Sequence, residues 1–295
     1  MADYRFGYCE YQWTIRFPGG QIDPLAESDE TRQWISKYQH RDGFIYPPIV
    51  EQGDESGNRH PNTERPAHLF RLPASHALSL ANISAADGAR ENASFVIHLL
   101  GYLFGGWYQF ADWWFDARVP LKSTHHICAH PKVAEHFLTH GWETSQTWSS
   151  EAKRRFTNIL FVLNRAPAYE WDWEHFVTEY MVLDGCYRMA RDLKLMTGPE
   201  PSHAERISAM CDAFNIQRKD DLGKEIVRLR NQLFHETLWA NGRPGTAREM
   251  SAFFAPLHLR RLNQKLIPAL LSYRTPYIQT SWWTLGNSAF DIPPA

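Results

Sequence analysis

Several common signatures of function are absent from this 295-residue sequence. It has no CxxC pair and no regular cysteine spacing, which is typical of a reducing compartment. The N-terminus has no basic segment followed by an apolar one, so it does not look like a signal peptide. The most apolar stretch, 95–107, contains His98 and several glycines and is shorter than the roughly 20 residues of a membrane span. We therefore predict a cytoplasmic protein with no membrane partner.

The sequence also lacks a strong charge of either sign. The formal net charge is −2, from 31 basic and 33 acidic residues, so any nucleic-acid contact must come from a local basic patch. Arginine outnumbers lysine by 23 to 8, and arginine is the better residue for forked contacts with phosphate. With 43% hydrophobic and 14% aromatic residues, the chain is long and apolar enough to form two ordinary domains.

The sequence changes character near residue 148. Residues 1–148 are dense in glycine, proline, aromatic residues and histidine, and they predict a mixed α/β accessory or sensing domain. Residues 4–17 alternate polar and aromatic side chains before a Pro-Gly-Gly turn, which is typical of a strand. Residues 51–66 contain no apolar residue except proline and predict a solvent-exposed loop. Residues 87–107 carry apolar residues at helical spacing and predict a buried helix.

Residues 149–295 predict a mainly α domain. Amphipathic patterns with capping residues indicate five helices joined by short links, at about 149–164, 172–196, 202–214, 220–235 and 250–272. Five such helices favour an antiparallel bundle, followed by a C-terminal tail.

The fourth of these helices carries an unusual row of polar residues. One stripe is apolar and faces the bundle: Leu222, Ile226, Leu229 and Leu233. The opposite side carries Lys224, Arg228, Asn231 and His235, with Arg230 to one side. Around the helix axis, Val227 and Phe234 lie between Arg230 and His235. A single bundle would leave both exposed. An exposed valine and phenylalanine beside polar groups predict a partner helix, and therefore a homodimer interface.

The spacing of Arg230 and His235 is weak evidence until its context is considered. About three pairs of an arginine and a following histidine, with four to six residues between them, are expected by chance in a chain of this composition. The pairs Arg71–His76 and Arg118–His125 each span a proline, so neither lies on an uninterrupted helix. The pair Arg230–His235 lies inside an amphipathic helix, with Asn231 directly after the arginine.

This helix resembles the signature helix of the HEPN superfamily. Residues 225–236, Glu-Ile-Val-Arg-Leu-Arg-Asn-Gln-Leu-Phe-His-Glu, match the pattern of an Arg, a polar residue and a His four to six residues after the Arg. The resemblance implies a helical bundle over 149–272, a catalytic role for Arg230 and His235, a supporting role for Asn231, and an active cleft shared by a homodimer. It also implies a toxin, antiviral-defence or RNA-processing ribonuclease, for which an antitoxin or another regulatory protein is a further candidate partner.

The residue types agree with metal-independent cleavage of RNA. Histidine transfers protons near neutral pH, and arginine contacts phosphate oxygens through a permanent charge. We expect 2′,3′-cyclic phosphate ends, no cofactor and no metal, with Arg228 and Lys224 as further RNA contacts. Two alternatives remain: a HEPN-like module that binds nucleotides or proteins without catalysis, and an unrelated helical protein with a solvated polar face.

A second group of residues could hold a metal ion. It is rich in histidine and comprises His125, His126, Cys128, His130, His136 and His140. The last two are spaced i, i+4 on a helix predicted over 133–140, as in many metal sites. No HExxH motif accompanies them, so we favour ordinary surface or interface histidines.

Two groups of aromatic residues can be interpreted either as ligand-binding surfaces or as parts of the core. The cluster at 107–115 could form a stacking platform for ring ligands, but such a density of large rings favours an aromatic core. Trp282 and Trp283 in the tail are expected to pack back onto the bundle.

Overall fold

The computed structural model describes residues 2–47, 49–56, 58–62, 69–81, 88–121, 127–246, 250–284 and 286–294. The chain divides into two compact units. Unit 1 comprises Met1–His125 and Ala129–Thr147, and unit 2 comprises His126–Cys128 and Trp148–Ala295. Strands and helices are mixed in unit 1, whereas unit 2 is mainly helical. The protein therefore belongs to the mixed class, with a large helical share.

Within its described residues, unit 1 contains a five-stranded sheet, three helices and several short strand pairs. The sheet strands are β1 (Ala2–Gly7), β2 (Ile15–Phe17), β3 (Gly20–Pro24), β7 (His76–Leu80) and β8 (Gln109–Phe110). They lie in the order β2-β3-β7-β1-β8, and every neighbouring pair is antiparallel. The short pairs are β4 (Phe44–Ile45) with β9 (Val119–Pro120), and β5 (Glu51–Gly53) with β6 (Arg59–Pro61). The helices are α1 (Ser28–Tyr38), α2 (Ala89–Phe104) and α3 (Pro131–Gln146).

Helix α2 forms the centre of unit 1. The sequence predicts it from four apolar residues, Phe95, Leu99, Tyr102 and Leu103, and all four are buried. The helix packs on α3, β1 and β7, so it has almost no solvated face. It ends at Gly105, whose left-handed conformation and N–H bond to the Gly101 carbonyl suit a residue without a Cβ. The predicted start, at Asp87, lies outside the described residues.

The predicted strand over 4–17 is two strands, β1 and β2, with irregular chain between them. Two of the alternating aromatic residues belong to this irregular part: the rings of Tyr11 and Trp13 pack against Phe104 at the end of α2, 4.5 and 5.9 Å between centroids. Their alternation thus reflects packing on a helix. The Pro-Gly-Gly turn does lead into β3, which pairs with β2 as a hairpin.

The predicted loop over 51–66 is wrong over its first part. Strands β5 and β6 form a hairpin there, with Gln52 opposite His60. The Asp54 carboxylate organises the turn, because its Oδ1 accepts hydrogen bonds from the backbone N–H groups of Ser56 and Asn58 at 2.8 and 2.9 Å. A polar sequence can pair as strands when the turn is held in this way. Residues 63–66 lie outside the described part of the chain. The sequence analysis did not predict α1, which buries Trp34 and Ile35.

Unit 2 contains the five helices that the sequence predicts. They are α4 (Ser150–Arg165), α5 (Asp172–Asp192), α6 (His203–Ala213), α7 (Asp220–Glu236) and α8 (Met250–Leu270). Two strand pairs accompany them: β10 (Ile127–Cys128) with β13 (Ser288–Ala289), and β11 (Trp239–Ala240) with β12 (Arg243–Pro244). Ser149 caps α4 as predicted, since its Oγ accepts from the Ala152 N–H at 3.2 Å. The predicted cap of α7 by Asp220 and Asp221 is wrong, because Lys219 is the N-cap and makes no side-chain cap bond.

Helices α5 and α8 form the most extensive helix pair of unit 2, and a buried carboxylate joins them. Glu179 of α5 is 1% exposed. Its Oε1 accepts from Arg260 Nη1, and its Oε2 accepts from Asn263 Nδ2, both at 2.8 Å. Arg260 also donates to the Leu163 carbonyl of α4 at 2.7 Å. Burial raises the pKa of Glu179, while Arg260 and Asn263 oppose that shift. One ion pair therefore connects three helices.

Arg260→Met should destabilise unit 2 by about 3–5 kcal/mol, because it leaves a buried carboxylate without its cation. The double variant Glu179→Gln, Arg260→Met should recover at least half of that loss, because glutamine is uncharged and can still accept from Asn263. Urea unfolding measures both. Arg188→Met, which changes a largely exposed arginine of α5, is the control. A single variant as stable as the wild type would contradict the structural role of the pair.

Acid should destabilise unit 1 through two buried histidines. Burial lowers the pKa of both His76 and His98 from 6.5 to about 4. Between these pH values the unfolded chain binds more protons than the folded one, so the free energy of unfolding falls as the pH drops from about 6.5 to 4. A shift of this size corresponds to roughly 3 kcal/mol per histidine. His98→Leu should therefore flatten the pH dependence in urea unfolding. The exposed His60, changed to Gln, should leave the slope unchanged.

Candidate active site

Helix α7 begins with two acidic residues and ends at a residue in the left-handed conformation. Asp220 and Asp221 occupy its first turn, where carboxylates interact favourably with the helix dipole. Thr237 ends the helix with φ of 56°, and its N–H donates to the Gln232 carbonyl. The stripe predicted to face the bundle does so: Ile226, Leu229 and Leu233 are buried, and Leu222 is half-buried.

Val227 is not exposed, in contrast to the prediction that it forms part of a dimer interface. It is 7% exposed within a single chain. Helix α7 contacts α5, α6, α8 and β12, so packing covers more of its circumference than one stripe. Phe234 is 49% exposed, as predicted. Of the two residues predicted for the interface, only Phe234 has a large accessible surface.

The two residues predicted to be catalytic are in direct contact. Arg230 Nη1 lies 2.8 Å from His235 Nε2, and it also donates to Asn231 Oδ1 at 3.1 Å. The two residues start from different sides of the helix, but the arginine side chain is long. Its guanidinium carbon lies 5.1 Å from the centroid of the Phe234 ring. The arginine side chain therefore passes over that ring to reach the imidazole. An arginine, an amide and an imidazole thus converge at the C-terminal end of α7.

Tyr180 is a member of this site that sequence reasoning missed. It lies on α5, with its ring centroid 5.8 Å from the Arg230 guanidinium carbon and 6.5 Å from the Phe234 ring. Burial raises the pKa of Tyr180, so its hydroxyl keeps its proton at neutral pH. The Tyr180 hydroxyl and Arg230 Nε are both buried and have no hydrogen-bond partner among the described residues.

Comparison of the chain with family models, curated proteins and solved structures finds no match.

The two residues predicted to make further RNA contacts differ in their surroundings. The guanidinium of Arg228 makes a forked ion pair with Glu225, with distances of 2.8 and 2.6 Å, so its charge is largely compensated. Lys224 is exposed, one turn of α7 before Arg228. Lys224 is thus the more accessible of the two cations on this row.

The histidine-rich group does not form a metal site within the described part of the chain. No three His, Cys, Asp or Glu side chains are close enough there to hold an ion. His125 and His126 lie outside the described residues. His130 acts as the N-cap of α3, where its Nδ1 accepts from the Lys132 N–H at 3.4 Å.

The aromatic residues of 107–115 mainly form core, as favoured from the sequence. Trp107, Tyr108, Phe110 and Phe115 are buried, while Trp113 is 36% exposed. In the tail, Trp282 is fully buried and donates from its indole N–H to the Gln217 carbonyl at 2.8 Å. The prediction that Trp282 packs back onto the bundle is confirmed. No helix in the described ranges has the length and apolar character needed to cross a membrane.

Proposed function

We propose that this protein is a metal-independent endoribonuclease of the HEPN type, with Arg230 and His235 as its catalytic residues. The observation that supports this best is the 2.8 Å contact between Arg230 Nη1 and His235 Nε2. A permanent cation and a proton-transfer group at this distance from each other suit the cleavage of one phosphodiester. The exposed end of α7 leaves His235 accessible, as a polymeric substrate requires.

Each group has a distinct role in the proposed reaction. Arg230 Nη1 donates to His235 Nε2 in the free protein, and its turn towards the phosphate frees the Nε2 lone pair. His235 Nε2 then removes the proton of the 2′-hydroxyl, whose oxygen attacks the adjacent phosphorus. Arg230 donates hydrogen bonds to the phosphate oxygens, which become more negative as the new bond forms. The bond from phosphorus to the 5′-oxygen breaks, and that oxygen takes up a proton. The products are a 2′,3′-cyclic phosphate and a 5′-hydroxyl.

The leaving oxygen needs an acid at the moment when His235 acts as base. One chain supplies one His235. Burial raises the pKa of Tyr180, so its phenol is too weak an acid to protonate the leaving oxygen. A homodimer that joins two copies of the α7 end would provide the second imidazole. Phe234 is the residue best placed to make that contact, because it lies beside His235 and is 49% exposed.

The resemblance to HEPN ribonucleases also suggests the biological setting. A toxin, antiviral-defence or RNA-processing role fits a nuclease with no metal requirement, and a toxin would need an antitoxin or other inhibitor as partner. Unit 1 would then supply the recognition or control that the nuclease unit lacks.

His235→Ala and Arg230→Ala should each lower RNA cleavage at least 100-fold, because one loses the base and the other loses stabilisation of the phosphate charge. Cleavage of a labelled RNA in the presence of EDTA measures both, and wild-type activity should be unaffected by the chelator. The control variants are His203→Ala and Arg188→Ala, which change an exposed histidine and an exposed arginine of the same unit. Full activity in both α7 variants would refute the assignment. Binding without cleavage by the wild type would indicate a non-catalytic module.

Phe234→Asp should weaken self-association and RNA cleavage together, because a charge at a self-complementary contact is desolvated twice. Burial of one phenylalanine contributes roughly 1.5–3 kcal/mol, so a shift of about tenfold or more in the dimer dissociation constant is expected. Sedimentation at several concentrations, alongside activity, tests this. The control is Met181→Asp, which changes an exposed apolar residue of α5 that is not part of the proposed interface. A wild type that is monomeric and active, or a Phe234→Asp variant that is dimeric and active, would eliminate the shared site.

A further inference from the structure

The β11–β12 hairpin directly follows α7 and is fixed to the start of α5. The Trp173 N–H donates to the Gly242 carbonyl in the hairpin turn at 2.9 Å. Gly242 has a φ of 77°, and a Cβ there would lie 2.3 Å from the Trp171 ring, so only glycine fits between the turn and that ring. At its base, the Gly245 N–H donates to the Leu238 carbonyl at 2.9 Å. The hairpin therefore holds its side chains in defined positions.

Trp239 of this hairpin presents an accessible aromatic surface. Its ring stacks on Trp173, with centroids 5.4 Å apart and an interplanar angle of 26°. Trp239 is nevertheless 45% exposed, so the indole is supported from one side and open to solvent on another. Exposed large apolar side chains are concentrated here: of ten in the described part of the chain, five lie in or beside this hairpin, namely Trp171, Phe234, Leu238, Trp239 and Phe253. Such a concentration marks a binding surface.

Trp239 and Arg230 contact the same face of α5. Trp173, which stacks on Trp239, and Tyr180, which adjoins Arg230, are seven residues apart on that helix. Seven residues are close to two full turns, so the two side chains share a face and are separated by roughly 10 Å along the axis. The distance from the aromatic surface to the proposed phosphate site is therefore about the length of one or two nucleotides.

The charges around Trp239 are compatible with a polyanion. The guanidinium of Arg243 lies 4.5 Å from the Phe253 ring and 3.9 Å from the Asp172 carboxylate. Glu174 is used as a cap, since its Oε2 accepts from the Trp171 N–H at 3.1 Å. The carboxylates of the first turn of α5 are thus engaged by local donors. Arg243 belongs to the same hairpin as the exposed Trp239, and surfaces that stack nucleobases combine aromatic rings with arginine.

From these contacts we infer that Trp239 is a base-stacking subsite for an unpaired nucleotide beside the cleavage position, which rests on the proposed ribonuclease function of Arg230 and His235. A base within a duplex is covered on both faces by its neighbours and cannot stack on an external ring. The substrate class is therefore RNA with an unpaired base flanking the phosphate that Arg230 holds. The hairpin binds and positions this base, and α7 carries out the chemistry.

Trp239→Leu tests the subsite, because leucine preserves apolar packing on Trp173 but has no aromatic face. We expect KM for a single-stranded oligoribonucleotide to rise about 5- to 100-fold, with kcat within about twofold of the wild type. Trp239→Phe should recover most of the loss. Trp113→Leu, which changes an exposed tryptophan of unit 1, should behave as the wild type. An unchanged KM in Trp239→Leu would overturn the subsite and leave the ribonuclease proposal intact.

A binding measurement separates the subsite from catalysis. In the His235→Ala background, oligoadenylate should quench tryptophan fluorescence, and Trp239→Leu should remove most of that quenching and weaken binding by a similar factor. An oligonucleotide with an abasic residue at the flanking position should bind equally weakly to the His235→Ala variant and to the double variant His235→Ala, Trp239→Leu. If the wild type cleaves no RNA but these binding differences hold, the subsite stands without the nuclease. If Trp239→Leu instead dissociates a dimer and leaves RNA binding unchanged, the surface contacts a second copy of the chain and the inference is wrong.

Discussion

The buried carboxylate of Glu179 is the constraint on which the helical unit depends. A charge that is 1% exposed is tolerated only when its partners satisfy both oxygens, and Arg260 and Asn263 of α8 do so. Because Arg260 also binds the Leu163 carbonyl, the positions of α4, α5 and α8 are coupled. Apolar packing alone would tolerate small shifts between these helices. The hydrogen-bonded ion pair would lose its geometry, and therefore its stability, if they moved.

The candidate site inherits its geometry from that arrangement. Helix α5 holds Glu179 on one side and, at the next position, turns Tyr180 towards α7. Seven residues earlier it supports Trp239 through Trp173. Arg230 is therefore placed against a helix whose own position is set by a buried ion pair. A proposed nuclease benefits from this, because groups that act on a phosphate must be held within a fraction of an ångström.

Much of the helical unit could be predicted from the sequence because local signals agree there. Ser149 caps α4, Ser202 and Glu205 form the capping box of α6, and left-handed Thr237 ends α7. In unit 1 the same reasoning found α2 but missed α1 and the β5–β6 hairpin. Strands β5 and β6 are polar and lack the alternation that identifies a strand, and their turn is held by the Asp54 side chain.

The order of residues within α7 determined by itself that Asn231 and His235 lie side by side, because residues four positions apart on a helix are neighbours. Arg230 starts from another side of the helix and reaches His235 through its long side chain. The order of residues also determined that Leu229 and Leu233 face inward. Only the tertiary structure decided that Val227 is buried, that Tyr180 joins the arginine, and that Trp239 stacks on Trp173. The last two contacts join residues 50 and 66 positions apart in sequence, and they exist because α5, α7 and the hairpin are packed together. Helical periodicity in a sequence describes one helix at a time. Which faces of that helix are covered depends on the other elements packed around it.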